Sequence, residues 1–161
     1  MVRCAAYGAQ ARTHQAIPLT LPLRTFIVED SPLIRENLVA TLEEMLPMQV
    51  VGTAEDEAAA VRWFSDPANE CELGIIDIFL MRGTGLGVLK AARSARHGAK
   101  LVVLSNYATP DVRRTCLELG ADEVFDKSND IEALLGYCAR LVAAEGPGDA
   151  VPDPARGTAA G

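Results

Sequence analysis

Three acids, a hydroxyl and an ammonium share one property in this sequence: each lies at or just past the end of a short apolar run. Thr25-Phe26-Ile27-Val28 ends on Glu29-Asp30, and Asp77 sits between Ile75, Ile76, Ile78 and Phe79. The run 100–104 ends on Ser105, and Lys127 comes two residues after Phe125. A charge among isoleucines is costly without a partner, which makes Asp77 the least ordinary of the five. Carboxylates gathered in one place repel, and at least one pKa rises unless a cation neutralises them. A hard divalent ion does so, and Mg²⁺ suits a site of a few carboxylates, waters and phosphate oxygens. Asp77 could then attack phosphorus as a carboxylate nucleophile. Mg²⁺ and Lys127 would stabilise charge on the transferring group. Singly, each residue also has an ordinary role: a loop or capping acid, a turn hydroxyl, a solvated lysine. Gly83 and Gly85 need do no more than permit a turn. The weight lies in their convergence, which depends on the elements that carry them.

Those elements alternate. A strand over 25–28 leads to Ser31-Pro32, an N-cap followed by proline at the first helical position. Leu33, Ile34, Leu38, Leu42, Met45 and Leu46 then recur at helical spacing as far as Pro47. A strand follows over 48–53, then a helix capped by Asp56 and stopped by Asp66-Pro67. A third strand is expected over 73–79, a helix over 86–96 and a fourth strand over 100–104. Thr109-Pro110 repeats the cap-plus-proline signal for a helix ended by Gly120, and a short strand at 123–125 precedes a last helix over 130–143. Five apolar strands alternating with five helices predict an α/β fold, a five-stranded parallel sheet with helices on both faces. Ligands in such sheets bind beyond the carboxyl ends of the strands, where all five residues stand.

With 161 residues the chain suits one domain with tails: an extension over 1–23, a folded domain over 24–144 and a Gly/Pro/Ala-rich tail over 145–161, both ends expected to be disordered. Nearly half of the residues, 49%, are hydrophobic, enough for a core without disulfides or structural metal. Against 22 acids stand 15 Lys and Arg, net −7, so the basic stripe of a nucleic-acid binder is missing. No apolar run is long enough to span a bilayer. Cys4, Cys71, Cys116 and Cys138 form no CxxC pair and read as reduced thiols of a cytoplasmic protein. Trp63, near Val61 and Phe64, reads as packing, and His97 as a helix-end residue.

Over about 25–144 the chain resembles the receiver domain of two-component response regulators. The segments that carry the resemblance are Phe26-Ile27-Val28-Glu29-Asp30-Ser31, Ile75-Ile76-Asp77-Ile78-Phe79-Leu80 with Gly85-Leu86, Val102-Val103-Leu104-Ser105-Asn106, and Gly120-Ala121-Asp122 running into Phe125-Asp126-Lys127-Ser128. The resemblance implies a (βα)5 flavodoxin-like fold and a bacterial signalling module. Asp77 would accept phosphoryl from a histidine kinase or histidine phosphotransfer protein. Mg²⁺ would be held by Asp30, Asp77 and the backbone carbonyl of Phe79, with Glu29 acting mainly through water. Ser105 would be the switch hydroxyl and Lys127 the partner of a phosphoryl oxygen. Val124 occupies the output-switch position, where the family commonly has Tyr or Phe, so the resemblance does not carry the aromatic switch to this chain. Phe125 should face the other side of its strand. Asn106 and Tyr107 replace smaller residues beside the switch hydroxyl and should narrow access to the phosphoryl site and slow its hydrolysis.

Function divides accordingly. The leading expectation is a stand-alone receiver that acts through a downstream partner protein, because the segment after Ala144 is too short for a helix-turn-helix domain. It would catalyse its own phosphoryl transfer and loss but no separate reaction. Neither nucleic acid nor membrane is an expected partner, and a phosphorylation-dependent dimer is left open. A haloacid-dehalogenase-like phosphatase would need a second Asp where Phe79 stands, and a flavin-binding relative would not put Glu29-Asp30 beside its phosphate. The alternative is a degenerate receiver that interacts without phosphorylation, with Val124 as its main support.

Overall fold

The alternation read from the sequence closes into a single sheet in the computed structural model, which describes residues 21–95 and 98–144. The expected N-terminal extension, apart from its last three residues, lies outside the described residues, as do His97, Cys4 and the C-terminal tail. The elements run β1 (Leu23–Val28), α1 (Pro32–Met45), β2 (Met48–Ala54), α2 (Glu57–Ser65) and β3 (Leu73–Ile76). They continue with α3 (Gly85–Ser94), β4 (Lys100–Ser105), α4 (Pro110–Glu118), β5 (Glu123–Asp126) and α5 (Ile131–Ala144). The strands pair in parallel in the order β2-β1-β3-β4-β5.

Period-two alternation sends side chains of each strand to opposite faces, and each face has its own core. Phe26, Val28, Ile76, Val103 and Val124 meet Phe64 of α2, Val88 and Leu89 of α3 and Cys116 of α4. Ile27, Ile75, Val102, Leu104 and Phe125 meet Leu42 of α1 and Leu134 and Cys138 of α5. Val124 and Phe125 thus face opposite ways, as expected. Trp63 stacks on Phe26 with ring centroids 3.9 Å apart, the packing role read for it. Burying one such side chain contributes about 2 kcal/mol.

The helix starts follow their caps. Ser31, Asp56, Thr84 and Thr109 each accept an N–H from the first turn through a side-chain oxygen, worth about 1 kcal/mol apiece. Two boundaries differ from expectation. The third strand ends at Ile76 rather than at 79, because the chain turns after Asp77: Phe79 forms an isolated antiparallel bridge with Thr84, and Gly85 N–H donates to the Ile78 carbonyl at 2.9 Å. The first strand begins one residue earlier than the expected domain start, at buried Leu23, whose N–H donates to the Pro47 carbonyl at 2.9 Å.

Candidate functional site

Strand order reverses direction between β1 and β3, and the crevice beyond their carboxyl ends is where such sheets bind ligands. Glu29 and Asp30 follow β1 there, and Asp77 follows β3. Carboxylate oxygens of these three residues all lie within 4.8 Å of one another. Glu29 and Asp77 are buried, while Asp30 is half-buried at the rim. Lys127, just after β5, bridges the two buried acids: its Nζ donates to Glu29 Oε2 at 2.5 Å and to Asp77 Oδ2 at 2.8 Å.

Each acid is also fixed by backbone. Asp77 Oδ1 accepts from Phe79 N–H at 3.1 Å, Glu29 Oε1 from Ser31 N–H at 3.1 Å and Asp30 Oδ2 from Met81 N–H at 2.8 Å. Arg35 of α1 donates to the Glu29 carbonyl at 2.9 Å and steadies the end of β1. The bond that closes the Phe79–Thr84 bridge uses the Ile78 carbonyl, so it leaves the Phe79 carbonyl out.

Electrostatically the site is under-neutralised. Burial raises the Glu29 carboxyl above the ordinary carboxylate range, outweighing the opposing bonds from Lys127 and Ser31. Burial pulls Lys127 down, yet its hydrogen bonds to Asp77 and Glu29 prevail and hold its pKa above the usual lysine value. One ammonium bridges the two buried carboxylates, and Asp30 adds a third acid at the rim. The donor set, all hard oxygen at short mutual distances, fits Mg²⁺.

The five residues do not converge equally. Four of them, Glu29, Asp30, Asp77 and Lys127, border one cavity of about 230 Å³, which Phe79, Asn106 and Tyr107 also border. Tyr107 meets Phe79 edge-on, ring centroids 5.3 Å apart, so an aromatic pair stands at the opening. Ser105 is fully buried at the end of β4, outside the lining of that cavity, and its Oγ accepts from Tyr107 N–H at 3.2 Å. Val124 is buried in the core against the α4 side.

Two neighbours of the site take on contacts that the sequence did not assign them. Glu57, in the first turn of α2, accepts from Thr84 N–H at 2.7 Å and clasps the loop in which Gly83 takes a left-handed φ of 79°. Gly85 lies against the phosphoacceptor candidate itself: a Cβ there would stand 2.2 Å from the Asp77 carbonyl oxygen.

Comparison with known proteins bears on the fold that carries this site. The model of the response regulator receiver domain matches residues 25–138. The chain belongs to that family. This receiver is 36% identical over 110 residues to protein-glutamate methylesterase/protein-glutamine glutaminase 5 of Anaeromyxobacter dehalogenans, covering 66% of the chain and 29% of the relative. It is 34% identical over 122 residues to the nitrate/nitrite response regulator protein NarP of Escherichia coli, covering 74% of the chain and 54% of NarP. Among solved structures, the signal receiver domain of the response regulator NarL from Mycobacterium tuberculosis superposes with a TM-score of 0.63 at 26% identity, covering 73% of this receiver and 96% of that domain. The chain thus spans about half, or less, of the length of these curated relatives, and its likeness to them is confined to the receiver. Among the described residues, no helix is long and apolar enough to cross a membrane.

Proposed function

We propose that this receiver is switched by phosphorylation of Asp77 with Mg²⁺ bound, and that it signals through contact with a partner protein. The observation that carries the reading is the bridging of Asp77 and Glu29 by Lys127 at the strand-order reversal, with Asp30 beside them. A histidine kinase or histidine phosphotransfer protein supplies the phosphoryl group. An Asp77 carboxylate oxygen attacks phosphorus, the P–N bond to the donor imidazole breaks, and its electron pair stays on the imidazole nitrogen. Asp30, Asp77 and the Phe79 carbonyl would hold Mg²⁺, with Glu29 acting mainly through water. Bound there, the ion would neutralise the acidic cluster and draw charge from the phosphoryl oxygens. Lys127 then exchanges its bond to Asp77 for one to a phosphoryl oxygen, and Ser105 turns toward the group.

Partner choice rests on charge. The net −7 disfavours a nucleic-acid backbone and leaves a protein partner as the reading. The buried free thiols Cys71, Cys116 and Cys138 support a reducing, cytoplasmic setting.

The test is chemical. After incubation with acetyl phosphate and Mg²⁺, borohydride reduction should convert residue 77 to homoserine, detected by peptide mass mapping. Reduction at another residue, or none at all, refutes the assignment; none would favour a receiver that interacts without phosphorylation.

A further inference from the structure

Arg113 lies on α4, outside the acidic site, yet its guanidinium joins three separate segments. Nε donates to the Ala108 carbonyl at 3.0 Å, in the loop that leaves Ser105. Nη1 donates to the Val124 carbonyl of β5 at 2.7 Å, and Nη2 to Asp130 Oδ2 at 3.1 Å, just before α5. The same Asp130 oxygen accepts Asp126 N–H at 2.9 Å, so it also fixes the start of the loop that carries Lys127. The Asp130 carboxyl is held below its ordinary range by that backbone bond first and by Arg113 second. The two loops are joined once more near the site, where Lys127 N–H donates to the Ser105 carbonyl at 3.0 Å.

This arrangement matters because Ser105 does not border the cavity over Asp77. Ser105 Oγ accepts Tyr107 N–H, so turning the hydroxyl toward a group carried by Asp77 disturbs that bond and the segment 105–108, whose Ala108 carbonyl Arg113 holds. Val124 offers that motion only a small side chain, packed in the core at 2% exposure. The Arg113 side chain is 38% exposed and anchored at its other ends to β5 and to the N-terminus of α5. A planar guanidinium holds several acceptors in fixed mutual directions, which an ammonium does not.

We propose that Arg113 is the positioning residue through which movement of the Ser105 loop reaches β5 and the start of α5. The inference rests on the reading of Asp77 as the phosphoacceptor. It is tested by hydrogen–deuterium exchange on the full chain, with and without acetyl phosphate and Mg²⁺, in parallel with intact mass. The parent protein should form the adduct and change protection over 105–108 and over 129–134, beyond the directly affected Lys127. Arg113→Gln should form the adduct and change protection over 105–108, with the change over 129–134 lost. Arg113→Lys, which keeps the charge, should not restore it, and it carries the same comparison if the glutamine variant does not fold. An adduct with the 129–134 change intact in both variants, or no change there in the parent, overturns the inference and leaves the Asp77 reading standing. Failure of the parent to form an adduct overturns both.

Discussion

At the scale of single residues, Lys127 decides how the site survives without a metal. Its side chain and those of Glu29 and Asp77 are each under 10% exposed, so removing the ammonium leaves two buried carboxylates uncompensated. Breaking a buried ionic contact from one side costs about 3–5 kcal/mol. Lys127→Met is therefore expected to lose about 3 kcal/mol in urea unfolding at neutral pH, and added Mg²⁺ to narrow the deficit by binding the freed oxygens. A variant as stable as the parent would show that the three groups do not form one charged unit. Glu29, Asp77 and Lys127 were legible in the sequence because they recur at the ends of alternating apolar runs, a convergence that gives weight to residues ordinary when taken singly. Arg113 was not legible. It sits among polar residues of a helix, where an arginine looks like a solvated charge, and only the fold brings its three acceptors together. Ser105 was legible as a strand-end hydroxyl, but its bond to Tyr107 N–H was not.

At the scale of elements, the site depends on how β3 hands over to α3. The sequence led to a strand running on to 79, since Ile78 and Phe79 continue the apolar pattern. In the structure that pattern serves a turn instead: Ile78 is buried in the core and Phe79 lies half out at the site. Hydrophobicity alone does not separate a buried strand from a buried turn. The caps were read correctly where Ser or Thr precedes Pro, because proline at the first helical position leaves few alternatives. Gly85 shows what patterning cannot reveal, a close approach rather than a special φ. With a Cβ placed 2.2 Å from the Asp77 carbonyl oxygen, the backbone itself must shift. Gly85→Ala is expected to cost about 1–3 kcal/mol, the range for overpacking, and to impair phosphorylation as Asp77 moves. Unchanged thermal stability and unchanged adduct formation would show that α3 does not press on the phosphoacceptor.

At the scale of the whole molecule, the sheet is sealed on both faces, and the seal includes thiols. Burial raises Cys138 from 9.0 to about 11, and Cys71, chiefly through burial and then through Glu72, to about 12. The unfolded chain ionises these thiols from about pH 9 upward while the native chain keeps them protonated. Above pH 9 the native state therefore binds more protons, and stability must fall as pH rises. Each thiol can contribute a slope of up to about 1.4 kcal/mol per pH unit. Urea midpoints should decline between pH 9 and 11, and Cys138→Ala, though less stable overall, should decline less steeply. Equal slopes would mean that Cys138 is not held protonated by the fold. At this scale too, topology was legible from strict alternation of apolar strands with capped helices. The pairing order, which places the ends of β1 and β3 side by side, follows from how the strands associate rather than from any local signal.

The central claim is that Asp77, gathered with Glu29, Asp30 and Lys127, is a metal-dependent phosphoacceptor. Its most direct test is intact mass after incubation with acetyl phosphate, with and without Mg²⁺, on the parent protein and on Asp77→Asn. The account predicts one phosphoryl adduct in the parent only when Mg²⁺ is present, and none in the variant. An adduct that forms equally without the metal, or that persists in Asp77→Asn, would contradict it.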